Sequence, residues 1–163
     1  MKIQFRLNGK AVQKEIKADL LLIDLLRELG CYSVKRGCET SNCGLCTVWM
    51  DQKPILSCST LAARADGCHV KTLEGLQKEA EEFGRFLAAE GGEQCGFCSP
   101  GLIMNVLAME RELVRPDEEE IKEYLAGNLC RCSGYMSQLR AIKNYLACKA
   151  GEKERESRKG GTA

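Results

Sequence analysis

Cys38-Glu39-Thr40-Ser41-Asn42-Cys43-Gly44-Leu45-Cys46, closed after eleven intervening residues by Cys58, is the stretch on which the reading of this chain turns. Its spacing is C-x4-C-x2-C-x11-C, and a second set follows in Cys95-x2-Cys98 and Cys130-Arg131-Cys132. Eight of the eleven cysteines therefore fall into two sets of four. Four thiolates are what a 2Fe-2S cluster requires, two on each iron. The short loop from Cys38 to Cys46 has the reach to wrap one face of a cluster, with Cys58 closing it from another segment. The second set is narrower still, because its last two members are separated by a single residue.

Other uses of so much cysteine fit less well. A disulfide framework belongs in small secreted chains, but Met1-Lys2-Ile3-Gln4-Phe5 carries neither an apolar signal core nor a cleavage site. The cysteine count is also odd. Zinc sites with four cysteines usually pair two C-x2-C knuckles, an arrangement for which the dense C-x4-C-x2-C loop is poorly suited. A Rieske centre needs two histidines, and His69 is the single histidine here.

At 163 residues the chain suits one or two small domains whose modest cores would gain from a metal centre. It carries 24 basic and 23 acidic residues, a net charge of +1, so no field draws it to nucleic acid or to an anionic membrane. No apolar run approaches membrane-spanning length; the longest, residues 20–26, is broken by Asp24. Thiols kept for metal and the lack of a signal point to a reducing cytoplasm.

Working outward from the first loop, Ile3, Phe5 and Leu7 alternate with polar residues, and Asn8-Gly9 is a strong hairpin turn returning through residues 12–16. Asp19 is placed to cap a helix over residues 20–29, with Leu21, Leu22, Leu25, Leu26 and Leu29 on one face and Gly30 as its stop. Thr47-Val48-Trp49-Met50 reads as a strand, followed by a turn at residues 51–54, a short strand into Cys58, and a last strand over residues 69–73. Strand-strand-helix-loop-strand-strand is a β-grasp order. The rest reads as helices over residues 77–89 and 101–113, a third from Pro116-Asp117 to Gly127, and a fourth over residues 137–148. The expected fold class is α+β: a β-grasp domain over residues 1–76, a helical bundle over 77–150, and a disordered tail over 151–163, which lacks large apolar residues.

The flanking residues carry a resemblance. Leu25-Leu26-Arg27-Glu28-Leu29-Gly30, Lys35-Arg36-Gly37-Cys38, Cys43-Gly44-Leu45-Cys46-Thr47-Val48 and Thr72-Leu73-Glu74-Gly75-Leu76 lie in the first half. Gln94-Cys95-Gly96-Phe97-Cys98-Ser99-Pro100-Gly101 and Gly127-Asn128-Leu129-Cys130-Arg131-Cys132-Ser133-Gly134-Tyr135 lie in the second. Over about residues 1–148 the chain resembles the iron-sulfur subunit of the molybdenum hydroxylase family, which includes xanthine dehydrogenase and aldehyde oxidoreductases; the first set also has plant-ferredoxin spacing.

The resemblance implies a plant-ferredoxin-like β-grasp domain followed by a four-helix bundle, each holding one 2Fe-2S cluster. Cys38, Cys43, Cys46 and Cys58 are the expected ligands of one, and Cys95, Cys98, Cys130 and Cys132 of the other. It implies an electron wire from a molybdopterin-binding large subunit, which hydroxylates the substrate, through the bundle cluster and then the β-grasp cluster to an FAD-binding medium subunit. Gln94 and Cys132 match positions that touch the pterin. Xanthine or purine oxidation is the first expectation for the complex; aldehydes, other N-heterocycles and aromatic substrates of the same family are the alternative. A stand-alone ferredoxin-like carrier is a further alternative, which a helical second half argues against, and a zinc-binding module is another, which colour alone would distinguish.

Three departures from the family pattern stand out. Ser41 occupies a usual glycine, so it must adopt a glycine-like backbone at some cost or leave the loop changed. Gln138 stands where a branched apolar residue is common, which leaves the packing behind the second cluster open. Cys31, Cys68 and Cys148 match no ligand and read as plain buried cysteines. Gly37, Gly44 and Gly96 read as positions where backbone amides approach cluster sulfurs. Arg131 is either a solvated charge or a partner contact, Trp49 reads as core or interface, and His69 as structural.

Overall fold

The computed structural model describes residues 1–160. Strands β1 (Lys2–Leu7) and β2 (Lys10–Glu15) form the expected hairpin. Asn8 and Gly9 both take positive φ, 50° and 84°, as the tight two-residue turn demands. Alternation in β1 points Ile3, Phe5 and Leu7 into the core and their neighbours outward. Strand β3 (Thr47–Met50) pairs antiparallel with β4 (Lys53–Leu56), and β5 (His69–Lys71) lies parallel to β1 and antiparallel to β3. The mixed five-stranded sheet has the order β2-β1-β5-β3-β4.

Helix α1 (Leu22–Glu28) packs Leu22, Ile23, Leu25 and Leu26 fully out of solvent against the sheet. It starts later than the sequence suggests, and Asp19 does not cap it. Leu21 is the N-cap, in extended conformation with no side-chain hydrogen bond. The cause is tertiary: Leu21 forms a β-bridge with Leu61, and the Leu22 amide donates to the Thr60 carbonyl at 2.8 Å. A strand-like contact thus satisfies the helix end that Asp19 would have served.

Four helices follow, α2 (Gln77–Ala89), α3 (Ser99–Glu112), α4 (Glu118–Tyr124) and α5 (Met136–Gly160). Pro100 sits in the first turn of α3, where its missing N–H costs nothing. Asp117 caps α4 in a full capping box, accepting from the Glu120 amide at 2.9 Å while Glu120 accepts from the Asp117 amide at 2.8 Å. Helix α5 corrects the expectation of a disordered segment after Ala150, because its backbone stays helical to Gly160. Residues 151–160 hold strong helix formers and no proline to end the run. Lys149, paired with Glu82 of α2 and Glu152, ties the start of that stretch to the bundle. The rest of the expected tail, residues 161–163, lies outside the described residues.

Two hydrophobic clusters result, one between the sheet and α1, the other among α2, α3, α4 and α5. Strand β3 serves both through its alternation: Val48 faces the first and Trp49 the second. The Trp49 indole N–H donates to the Met104 carbonyl at 2.9 Å, and the Arg111 guanidinium lies 3.7 Å over its ring. Trp49 is therefore a core residue that joins the two halves.

Candidate metal centres

The first cysteine loop is hung from α1. Arg27 donates to the Val34 carbonyl at 2.8 Å, and Arg36 pairs with Asp24 at 2.6 Å, which fixes the run leading into Cys38. Within the loop Ser41 takes φ +59°, the glycine-like alternative of the two its sequence position allowed. That conformation aims the Asn42 amide at the Cys38 sulfur, 3.4 Å away. Cys58 arrives on the 3₁₀ turn Ser57–Ser59, where the Ser57 amide and hydroxyl both donate to the Cys46 carbonyl, at 3.3 and 2.7 Å.

The four thiols meet as two pairs, Cys38 with Cys43 and Cys46 with Cys58. Their acidities diverge. Amides of Thr40, Cys43 and Asn42 donate to Cys38 and bring it down to about 6. Burial pushes Cys46 up to about 11, with the neighbouring Cys58 thiol adding to the rise, and burial also raises Cys43.

The second set is built on the approach to α3 and the approach to α5. Cys95 and Cys98 precede and cap α3, while Cys130 and Cys132 lie in the turn before α5. Again there are two pairs: Cys132 and Cys95 lie 3.6 Å apart sulfur to sulfur, and Cys98 contacts Cys130. Burial, then Cys130, raises Cys98 to about 11. Burial acts upward on Cys130 too, but the Ser133 hydroxyl and amide, 3.2 and 3.4 Å from its sulfur, bring it down to about 7. Cys95 is lowered, chiefly by the Phe97 amide and then by Cys132, whose own thiol is raised by the same contact.

This donor set fits 2Fe-2S clusters. The thiols come in pairs, two pairs to a set, and a 2Fe-2S cluster takes four thiolates, two on each iron. All eleven cysteines are free. Amides and hydroxyls aimed at Cys38, Cys95 and Cys130 favour the thiolate that ligation requires.

Backbone contact joins the two sets. A Cβ on Gly101 would lie 2.3 Å from the Gly44 carbonyl oxygen, and one on Gly44, whose φ is +71°, would lie 2.5 Å from that of Gly127. Thus loop 38–46, the first turn of α3 and the segment before Cys130 touch backbone to backbone. The Leu129 amide donates to the Cys43 carbonyl at 3.0 Å, linking neighbours of both sets. Asn105 of α3 seals the junction, donating to Thr47 at 3.2 Å and Asn128 at 2.9 Å. Lys35 reaches across, with its ammonium 4.8 Å over the Phe97 ring.

Of the other singled-out residues, Gln94 donates to the Cys132 carbonyl at 3.0 Å, so these two lie together at the exposed edge of the second set. Arg131 is exposed beside them. Gln138 is buried and aims its amide at the Cys98 sulfur. Cys31 is buried and Cys68 half-buried, but Cys148 is exposed, on the outer face of α5, correcting its reading as a buried cysteine. His69 sits on β5, its amide donating to Asp51 at 2.8 Å. Sequence reasoning missed Ser133, and it did not foresee that the Tyr135 hydroxyl accepts from the Cys130 amide at 3.1 Å. A hydroxyl directly after the C-x-C pair was the available signal for Ser133.

Two 2Fe-2S-binding modules in series define the class, that of iron-sulfur proteins. The family described as "2Fe-2S iron-sulfur cluster binding domain" matches residues 5–68, and "[2Fe-2S] binding domain" matches residues 72–143. The chain is 45% identical over 140 residues to "Xanthine dehydrogenase iron-sulfur-binding subunit" of Escherichia coli O157:H7, covering 82% of this chain and 86% of that one. It is 38% identical over 144 residues to "Nicotinate dehydrogenase small FeS subunit" of Eubacterium barkeri, covering 86% and 92%. Among solved structures, quinoline 2-oxidoreductase from Pseudomonas putida 86 superposes with a TM-score of 0.85 at 35% identity, covering 94% of this chain and 96% of that one. The chain belongs to the family of iron-sulfur small subunits of the molybdenum hydroxylases, enzymes of the xanthine dehydrogenase and aldehyde oxidoreductase type.

Proposed function

We propose that this chain is the electron-transfer subunit of a xanthine dehydrogenase-type enzyme, with Cys38, Cys43, Cys46 and Cys58 holding one 2Fe-2S cluster and Cys95, Cys98, Cys130 and Cys132 a second. The reading divides the chain into a β-grasp unit, residues 1–76, and a helical-bundle unit, residues 77–150. The observation that carries it is the repeated arrangement of four thiols as two contacting pairs, once in each unit. Bound clusters supply one-electron acceptors. The chain's own residues hold the thiolates, donate N–H and O–H groups to their sulfurs, and exclude water from Cys43 and Cys46, which are 7% and 2% exposed.

Exposure supports the direction of transfer that the resemblance implies. Cys95 and Cys132 are exposed, and Gln94 lies against Cys132, so this edge would meet the molybdopterin of a large partner, with Gln94 and Cys132 as its contacts. Phe97, Leu129, Tyr135 and Met136 are large exposed hydrophobics around the same edge and suit a subunit interface. Loop 38–46 lies at the other end of the Leu129–Cys43 contact and would serve an FAD-bearing partner. A relative named for xanthine, the most similar in identity of those given above, favours a purine substrate, on the large partner. Free thiols suit a cytoplasmic complex.

Iron and acid-labile sulfide measured on the purified chain or complex test the reading. About four of each per chain are expected from two clusters. A ratio near two, or zinc in place of iron, contradicts it.

A further inference from the structure

The position behind the second cysteine set holds a polar side chain where burial favours an apolar one. Gln138 lies in the first turn of α5 and is only 6% exposed. Gly92 lies opposite its backbone, where an added Cβ would sit 3.5 Å from the Gln138 Cα, an ordinary packing distance. From this position Nε2 donates to the Cys98 sulfur at 3.8 Å. A buried carboxamide without a partner is costly, so the sulfur is the group that makes this glutamine tolerable. Once Cys98 is a thiolate it is acceptor only, and the carboxamide must present NH2 rather than oxygen to it.

We infer that Gln138 is a tuning residue for the cluster held by Cys95, Cys98, Cys130 and Cys132, raising its reduction potential through an N–H···S bond to Cys98. This rests on the assignment of Cys98 as a ligand. The physical basis is general: reduction adds negative charge to the cluster and its thiolates, and a donor at a ligating sulfur stabilises the more negative state. No donor from Gln138 reaches the first set, so the effect is confined to one cluster. The outcome within the chain is an electron held longer at the open, exposed set before it passes to the enclosed one.

The test is a redox titration of the full, cluster-loaded chain followed by electron paramagnetic resonance, in wild type, Gln138→Ile and Gln138→Met. Both substitutions remove the donor and put an apolar side chain of similar size in its place. In both, reduction of the second cluster is expected to become about tenfold less favourable, a shift of about 59 mV to lower potential for one electron. The first cluster's midpoint is expected to stay fixed. Two variants of different shape guard against misreading a packing defect, since lost packing would lower cluster content rather than move one midpoint in both. Unchanged midpoints at wild-type iron content overturn the inference alone. Midpoints of both clusters moving together overturn it as well. A wild-type chain with only two irons, or one in which Cys98→Ser leaves both clusters intact, overturns the ligand assignment and this inference with it.

Discussion

The two cysteine sets repeat one chemistry in opposite surroundings. Around the first, Cys43 and Cys46 are buried, and Ser57, Thr47, Arg27 of α1 and Arg36 lock the loop. Around the second, Cys98 is partly covered and backed by Gln138, but Cys95 and Cys132 are exposed and bordered by apolar side chains. The first set buries two of its four cysteines and leaves Cys38 and Cys58 half-buried, whereas the second leaves Cys95 and Cys132 exposed on one side. The electron route proposed above, between two larger partners, gives a reason for this difference. The open edge allows close approach of a donor, and the enclosed set limits loss of electrons to solvent.

The largest effect expected is loss of one site without the other. Cys43→Ser removes a proposed ligand of the first set, and iron should fall from about four to about two per chain. The second cluster's paramagnetic signal should persist, because its four thiolates come from residues 95–132. Disappearance of both signals would show that the two sets form one cooperative unit and break the comparison.

Next in size is the junction between them. Gly101→Ala places a Cβ against the Gly44 carbonyl and the Leu45 Cα, backbone atoms that cannot swing aside. Overpacking of this kind costs about 1–3 kcal/mol. The loss should appear as a lowered denaturation midpoint with faster bleaching of both clusters. Gly127→Ala, whose added methyl meets nothing within 4 Å, is the control and should behave as wild type.

A third contrast separates the open edge from ordinary surface. Met136 and Val114 are both exposed, at 56% and 94%, but Met136 borders the second set and Val114 lies in the turn between α3 and α4. Met136→Glu should weaken assembly with the large subunit by about tenfold, as expected for an apolar interface contact. Val114→Glu should leave assembly unchanged, and both chains should keep their iron. Titration of loaded chain into the partner, read by calorimetry, would decide; equal affinities for the two variants would remove the open edge from the interface.

These contrasts also explain what was legible beforehand. Asn8-Gly9, the helix start at Pro116-Asp117 and the cysteine spacings are local, so they could be read directly from the chain, and the turn and the helix start agree with the structure. Asp19 misled because Leu21 is held by Leu61, forty residues away in sequence. The extent of α5 was underestimated because low hydrophobicity was read as disorder, although charged residues that favour helices can extend one that tertiary packing has already nucleated. The Gly44–Gly101 contact, the Leu129–Cys43 bond and the aim of Gln138 depend on how the halves dock, which no local pattern encodes.

The smallest effect concerns a wall of the open set alone. Ile121 and Lys122 of α4, with Leu125 just past its end, line a cavity of about 330 Å³ that reaches Tyr135 and Gln138, and α4 is tied to α5 by Glu118. Contacts with Lys143, then Lys122, hold the Glu118 carboxyl at about 2, below its ordinary 4.5. A carboxylate depressed on folding contributes stability that is complete above its unfolded value and is lost as pH falls through the folded one. The window is therefore from about 4.5 down to about 2. Glu118 is exposed, so solvent screening keeps the contribution small and local. Glu118→Gln should then speed amide hydrogen exchange in α4 at pH 7, and the difference from wild type should close progressively below pH 4.5. Exchange in the β1–β2 hairpin should be the same in both chains throughout. If the variant and wild type differ equally at every pH, the ion pair with Lys143 is not what holds α4 against the second set.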